Sequence, residues 1–413
     1  MIAAPHTRAP RFRALPPLSL YIHVPWCVRK CPYCDFNSHE ARGSIPESAY
    51  VAALVADLDL ALPLIWGRRV YTIFFGGGTP SLMSAETIDA ILSAVRARVP
   101  LATDAEITLE ANPGTFESER FAAYRAAGVN RLSIGIQSFN ERHLQALGRI
   151  HDAGQAHRAI EIAREHFENF NLDLMYALPG QSPLESRADI DAAVAYEPPH
   201  LSVYHLTIEP NTFFYRHPPQ VPDDDTAAEM EDLIAGALRH AAYEHYETSA
   251  YARIGRRARH NLNYWNFGDY LGIGAGAHSK LTFPDRVVRQ ARYRQPREYM
   301  DRAIAGGALQ TDHIVDSGDI AFEFMMNALR LNEGFASALF EERTGLPLVS
   351  VLAALDEAER RGFIERDHQH IRPTALGRRF LNDLLQIFMP AETSSREAEH
   401  KIVIRHKTRS PSH

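Results

Sequence analysis

Six short apolar runs, each trailed by a stretch of other character, constrain this chain more than any other feature. They lie at 18–24, 70–75, 105–110, 130–137, 171–176 and 200–206, and their β-branched and aromatic residues read as strands. Helical spacing occupies 46–62, 84–98, 116–127 and the sequence through about 166. Strands that are apolar nearly throughout have no face to offer water, so they belong to a parallel sheet covered on both sides. Right-handed crossovers curl such a sheet toward a barrel, and six units instead of eight leave it open. The expected fold class is α/β, a partial (β/α)6, TIM-like barrel over 18–245, with ligands at the C-terminal ends of its strands.

The length, 413 residues with 45% hydrophobic, leaves material for a further core. Residues 212–245 read as a loop carrying Pro218, Pro219 and Pro222, then a helix from about 224. The stretch 246–311 is less regular, rich in Gly, Tyr and Arg, and is expected to be a connecting region. Residues 312–388 return to helical spacing: helix, turn at Thr344-Gly345-Leu346-Pro347, helix, hairpin at 362–372, helix. That outline is an α+β, winged-helix-like domain. Its second helix carries Asp356, Glu357 and Glu359, which phosphates would repel, and the net charge of −7 offers nucleic acid no electrostatic footprint. Residues 1–17 and 389–413 are expected to be disordered. No apolar run approaches the ~20 residues of a membrane span, and 1–17 lacks the apolar centre of a secretory signal. With clustered thiols, this points to a reducing cytoplasm.

All three cysteines lie in one loop, Cys27-Val28-Arg29-Lys30-Cys31-Pro32-Tyr33-Cys34, straight after the first strand. An odd number this tightly packed is a poor disulfide framework. Three thiolates on one loop can hold three irons of a [4Fe–4S] cluster, and the missing fourth ligand leaves one iron open to a small molecule. A zinc site completed by His23 or His39 is the competing reading. Gly76-Gly77-Gly78-Thr79-Pro80 follows the second strand, where backbone without Cβ can approach a ligand closely. Glu110, Gln137 and Asp173 are polar side chains in otherwise apolar strands, and Arg149 follows a turn. Each is costly to bury alone, so several facing one cleft argue for a polar ligand. For any one of them a structural hydrogen bond is the alternative.

C-x3-C-x2-C with an aromatic in the last gap resembles the signature of radical S-adenosylmethionine (SAM) proteins. The resemblance implies SAM chelating the open iron, cleaved by one electron to methionine and a 5′-deoxyadenosyl radical. The wider set resembles the coproporphyrinogen oxidase branch of that family over roughly 18–390. By that likeness Tyr21 belongs to a Tyr-x-His-x3-Cys lead, and Gly78 and Thr79 hold the SAM amino group. Glu110 and Gln137 hold the ribose and methionyl ends, Arg149 the carboxylate and Asp173 the ribose side. A flavodoxin-like electron donor is a further implied partner.

Two departures matter. The dehydrogenase of the branch has another cysteine two places after the third, where this chain has Phe36, and it has a longer N-terminal arm than the 17 residues here. Both features resemble the haem-chaperone members of the branch, as does His260-Asn261-Leu262-Asn263-Tyr264-Trp265. His260 and Tyr264 are residue types that serve as axial haem ligands. Trp265 can stack on a macrocycle, and Arg253, Arg256, Arg257 and Arg259 can pair with propionates. The alternative is that His260 and Tyr264 only hydrogen-bond at a domain junction. The resemblance therefore implies haem carried to an unidentified acceptor protein. Oxygen-independent decarboxylation of coproporphyrinogen III is the alternative.

Overall fold

A computed structural model describes residues 10–114 and 118–390. The disorder expected for 1–17 and 389–413 falls outside the described residues at 1–9 and 391–413, but 10–17 is held in place: Arg11 N–H donates to the Gly345 carbonyl (3.0 Å), Phe12 N–H to the Pro284 carbonyl (3.1 Å), and Phe12 packs on the second core. The barrel strands are β1 (Leu18–Val24), β2 (Val70–Gly77), β3 (Leu101–Ala111), β4 (Arg131–Gln137), β5 (Phe170–Tyr176) and β6 (His200–His205). They pair in parallel in chain order, with Ile22 against Phe75 and Leu109 against Leu132. Leu20, Ile22, Ile73, Phe75, Leu109, Ile134 and Leu172 are buried under the outer helices, as expected for strands with no wet face.

The 246–311 region is not a loose connection. It supplies most of the further strands β7 (Glu244–Glu247), β8 (Ala250–Ala252), β9 (Asp269–Ile273), β10 (His278–Phe283), β11 (Arg286–Arg292) and β12 (Leu309–Ile314). All join one twelve-stranded sheet in the order β12-β11-β10-β9-β1-β2-β3-β4-β5-β6-β8-β7. β9 lies parallel to β1 and so adds a seventh barrel-like strand, while β10 to β12 continue antiparallel. Their charges hid them in the sequence. Asp269, Lys280 and Arg292 are buried but paired: Lys280 Nζ lies 3.0 Å from Asp269, and Arg292 3.3 Å from Asp57.

The helical sequence running to about 166 is two helices, Glu141–Ala146 and Ala153–His166. Gly148 breaks it with φ +66°, and Asp152 restarts it with a capping box to Gln155. The break carries Arg149. One helix, Glu47–Ile65 with its last tight turn, is long and apolar enough to cross a membrane, a run the sequence reading overlooked. Its Tyr50, Ala53, Leu54, Asp57 and Leu58 are buried inside the protein.

Beyond the sheet, strands at Phe335–Ala336, Ile364–Arg366 and His370–Pro373 form a small antiparallel sheet among helices Ser317–Ala328, Ser337–Thr344 and Leu352–Arg360. Gly345 closes the second of these helices in the left-handed conformation, φ +68°. Phe324, Phe340, Leu355, Ile371 and Leu384 build a second core, and Phe267 and Val287 from the sheet side enter it. The acids of the third helix are neutralised locally, Glu359 by Arg366 at 3.0 Å.

Candidate functional site

The cysteine loop leaves β1 through a short parallel pairing of Trp26–Cys27 with His39–Glu40. Cys27, Cys31 and Cys34 are all free and half-buried. Burial pushes the Cys27 and Cys34 thiols up, so thiolates there need a cation beside them. The two candidates for a fourth zinc ligand are engaged elsewhere. His23 is bonded to Tyr21 (2.9 Å) and to the Asn37 carbonyl (2.8 Å), and His39 to the Arg294 carbonyl (3.3 Å). Among the described residues no three His, Cys, Asp or Glu side chains converge on a single-ion site. Three thiols with no fourth donor suit an iron–sulfur cluster with an open corner and not zinc.

A ring of contacts joins two of the cysteines across the barrel mouth. Thr79 Oγ1 donates to Cys27 Sγ (3.5 Å), and Asn112 Nδ2 donates to Thr79 Oγ1 (3.0 Å). Arg149 donates to Asn112 Oδ1, to the Gly135 carbonyl (2.8 Å) and to Cys31 Sγ (3.6 Å). Its buried Nε finds no partner among the described residues. A buried guanidinium with a free N–H and no carboxylate pair is a receptor for an anionic group. Asn112 was not foreseen as a site residue. Gly135 lets the cluster close, because a Cβ there would stand 3.0 Å from both Asn112 Oδ1 and Gln137 Nε2. Gln137 itself sits at φ +67° at the end of β4.

The glycine run is shaped by contact. Gly77 has φ +116°, and a Cβ on it would meet the His23 ring at 2.5 Å. One on Gly78 would meet the Trp26 carbonyl oxygen at 2.5 Å. The N–H groups of Gly78 and Thr79 are spent on Val24 and Trp26 carbonyls, so toward an ammonium these residues have oxygens to offer. Gly77 N–H donates to Glu110 (3.2 Å). Burial, then the negative charge of Asp173, pushes the Glu110 carboxyl up to about 8. Asp173, also raised by burial, accepts from Ser133 (2.9 Å) and Asn171 (2.8 Å).

Tyr21 and Glu110 also line a cavity of about 810 Å³ between the barrel mouth, the Arg259–Trp265 helix and β10–β11. Its volume lies in the ~300–1,000 Å³ range of ligand pockets. Tyr264, Trp265 and the 60% exposed Phe36 line it too. His260 does not. Its Nδ1 is 3.0 Å from Glu106, its ring packs on Phe74 at 4.3 Å between centroids, and burial lowers its pKa. Against burial, the His260 bond and Arg131 hold Glu106 down at about 2, so a neutral imidazole donates to a carboxylate.

The arginines expected to meet propionates are placed elsewhere. Arg256 and Arg259 line a separate cavity at the N-terminal ends of β3 to β5. Arg259 pairs with Asp104 (3.1 Å), Arg257 with Glu333 (2.9 Å), and Arg253 donates to the Ala241 carbonyl (2.6 Å). The cations at the mouth cavity are Lys280, Arg289, Arg292 and Arg294, from the region expected to be irregular.

Residues 21–192 match the model of the Radical SAM superfamily and 315–380 that of the HemN C-terminal domain. The chain is 50% identical to "Heme chaperone HemW" of Escherichia coli over 91% of its own length and 99% of that protein. It is 47% identical to the protein of the same name from Haemophilus influenzae, over 92% and 99%. Among solved structures, coproporphyrinogen III oxidase (HemN) from Escherichia coli superposes with a TM-score of 0.77 at 24% identity, over 91% of this chain and 90% of that one. That likeness shows the fold.

Proposed function

The chain belongs to the HemW family of radical SAM proteins, and on that footing we propose that it is a haem chaperone, which binds haem and hands it to an acceptor protein. The observation that carries this is the near full-length likeness to proteins of that name at about half identity. Phe36, where the dehydrogenase of the branch has a cysteine, points the same way.

In this reading Cys27, Cys31 and Cys34 hold three corners of a [4Fe–4S] cluster, and SAM takes the open corner. When bound, the pair supplies one-electron chemistry. The chain's own residues orient SAM. Arg149, with its orphaned Nε, receives the carboxylate, and the Gly78–Thr79 backbone receives the amino group. Tyr21, Glu110, Gln137 and Asp173 line the adenosyl side. Asn112 ties Thr79 to Arg149, so the two grips on SAM move together. The acceptor and a flavodoxin-like electron donor are partners of this proposal, and the three free thiols suit a reducing compartment.

The discriminating test is anaerobic incubation of reconstituted protein with SAM, reductant and coproporphyrinogen III. The chaperone reading expects no protoporphyrinogen. Its formation in step with SAM consumption would make the chain a dehydrogenase. Cys31→Ala should lose the cluster's visible absorption and its iron, and full retention of both would refute the ligand assignment.

A further inference from the structure

The haem-chaperone reading leaves the place of the cargo open, and the mouth cavity answers it. One wall is aromatic, with Tyr21, Phe74, Tyr264 and Trp265, side chains of the kind a macrocycle packs against. The facing wall comes from β10 and β11 and is cationic. Most of those cations are already committed. Lys280 is held by Asp269 (3.0 Å), Arg292 by Asp57 (3.3 Å), and Arg289 by Glu323 (2.7 Å) and Tyr270 (2.6 Å).

Two side chains of this wall are different. His278, the first residue of β10, and Arg294, just past β11, are both exposed. Neither side chain makes a hydrogen bond or ion pair among the described residues, yet both line the cavity. The backbone around them is fixed. Asn37, three places after Cys34, donates to the Ala275 carbonyl (2.9 Å) and the Arg294 carbonyl (2.9 Å). The cysteine loop thus clamps the turn that carries His278 and the strand end that carries Arg294. The His278 imidazole, with no partner of its own among the described residues, is the side-chain type that most commonly binds a metal. Tyr264 shares the cavity, but burial pushes its hydroxyl up and away from the phenolate form. His260 lies behind Phe74, oriented by Glu106. Such a carboxylate bond also occurs behind metal-bound histidines, so His260 is the rival.

We propose that haem binds in this cavity, with His278 as its iron ligand and Arg294 pairing with a propionate. The assignment rests on the haem-chaperone reading and adds the site to it. Coordination by a neutral imidazole forms one Fe–N bond and displaces no proton, and the planar guanidinium suits a carboxylate.

The test is a hemin titration of the reconstituted full chain and of the variants His278→Ala, His260→Ala and Arg294→Glu, read by Soret position and affinity. His278→Ala should shift the Soret band and weaken binding about ten-fold or more, since losing even an outer-shell partner of a metal ligand has a cost of that order. Added imidazole should restore the parent spectrum, which a merely structural role of His278 would not allow. Arg294→Glu should weaken binding without moving the band. If His278→Ala titrates like the parent, or its loss resists imidazole, or the ligand signature disappears only with His260→Ala, the site assignment is wrong. If the parent itself shows no saturable Soret change, the chaperone reading fails and takes the site with it.

Discussion

Glu110 is where the site's chemistry is most exposed to measurement. Its carboxyl is raised from 4.5 to about 8 by burial and by Asp173. The folded chain therefore holds this proton more tightly than the unfolded chain does. The resulting stability is fully present below pH 4.5 and is lost as pH rises through about 8. Replacing Glu110 by Gln should flatten this part of the fall in urea midpoint between those pH values, and an unchanged profile would show that the carboxylate is already ionised. Glu110, Gln137 and Asp173 stood out in the sequence as candidates because polar side chains interrupt apolar strands. Asn112 was not, since before a proline it reads as an ordinary turn residue. Its bridging contact exists only once Arg149, 37 positions away, folds onto it. His278 and Arg294 escaped for a related reason: no local spacing announces a side chain whose significance is that nothing nearby claims it.

At the level of elements, the glycine run and the helix break do the positioning. Gly78 lies against the Trp26 carbonyl, and neither backbone can yield without moving the cysteine loop. Gly78→Ala should therefore destabilise the fold by about 1–3 kcal/mol, the usual cost of overpacking, and lower iron retention after reconstitution. A variant with parent urea midpoint and full iron would mean that the loop tolerates displacement. The run itself was visible in the sequence, and so was the Arg259–Trp265 segment as a motif. The direction in which its histidine points was not. His260 and Tyr264 are four apart on one short helix, yet the first is bonded to Glu106 and the second lines the mouth cavity. The partner of His260 lies 154 positions away and left no mark on the local pattern.

For the molecule as a whole, the alternation of apolar strands and helices anticipated the open barrel, because full burial leaves a plain hydrophobic signature. The extension β9 to β12 left none, since its buried charges mimic a solvated stretch. Asp269 accepts from Lys280 and from Thr282 N–H (2.8 Å) and hydroxyl (2.7 Å), all inside the protein. Asp269 also pairs with Arg68 (2.8 Å), so Asp269→Ala should cost about 3–5 kcal/mol by stranding the Lys280 and Arg68 charges. Adding Lys280→Met should recover part of it, Arg68 staying unpaired, and simple additivity in a double-mutant cycle would deny the coupling of Asp269 to Lys280. This extension builds one wall of the mouth cavity, the proposed haem site, while the barrel and the Arg259–Trp265 helix build the others. The central claim is that the chain carries haem. Its most direct test is titration of hemin into the anaerobically reconstituted parent, followed at the Soret band. A shift that saturates at one haem per chain is the predicted result. Absorbance that rises linearly, as for free hemin, with no saturation, would contradict it.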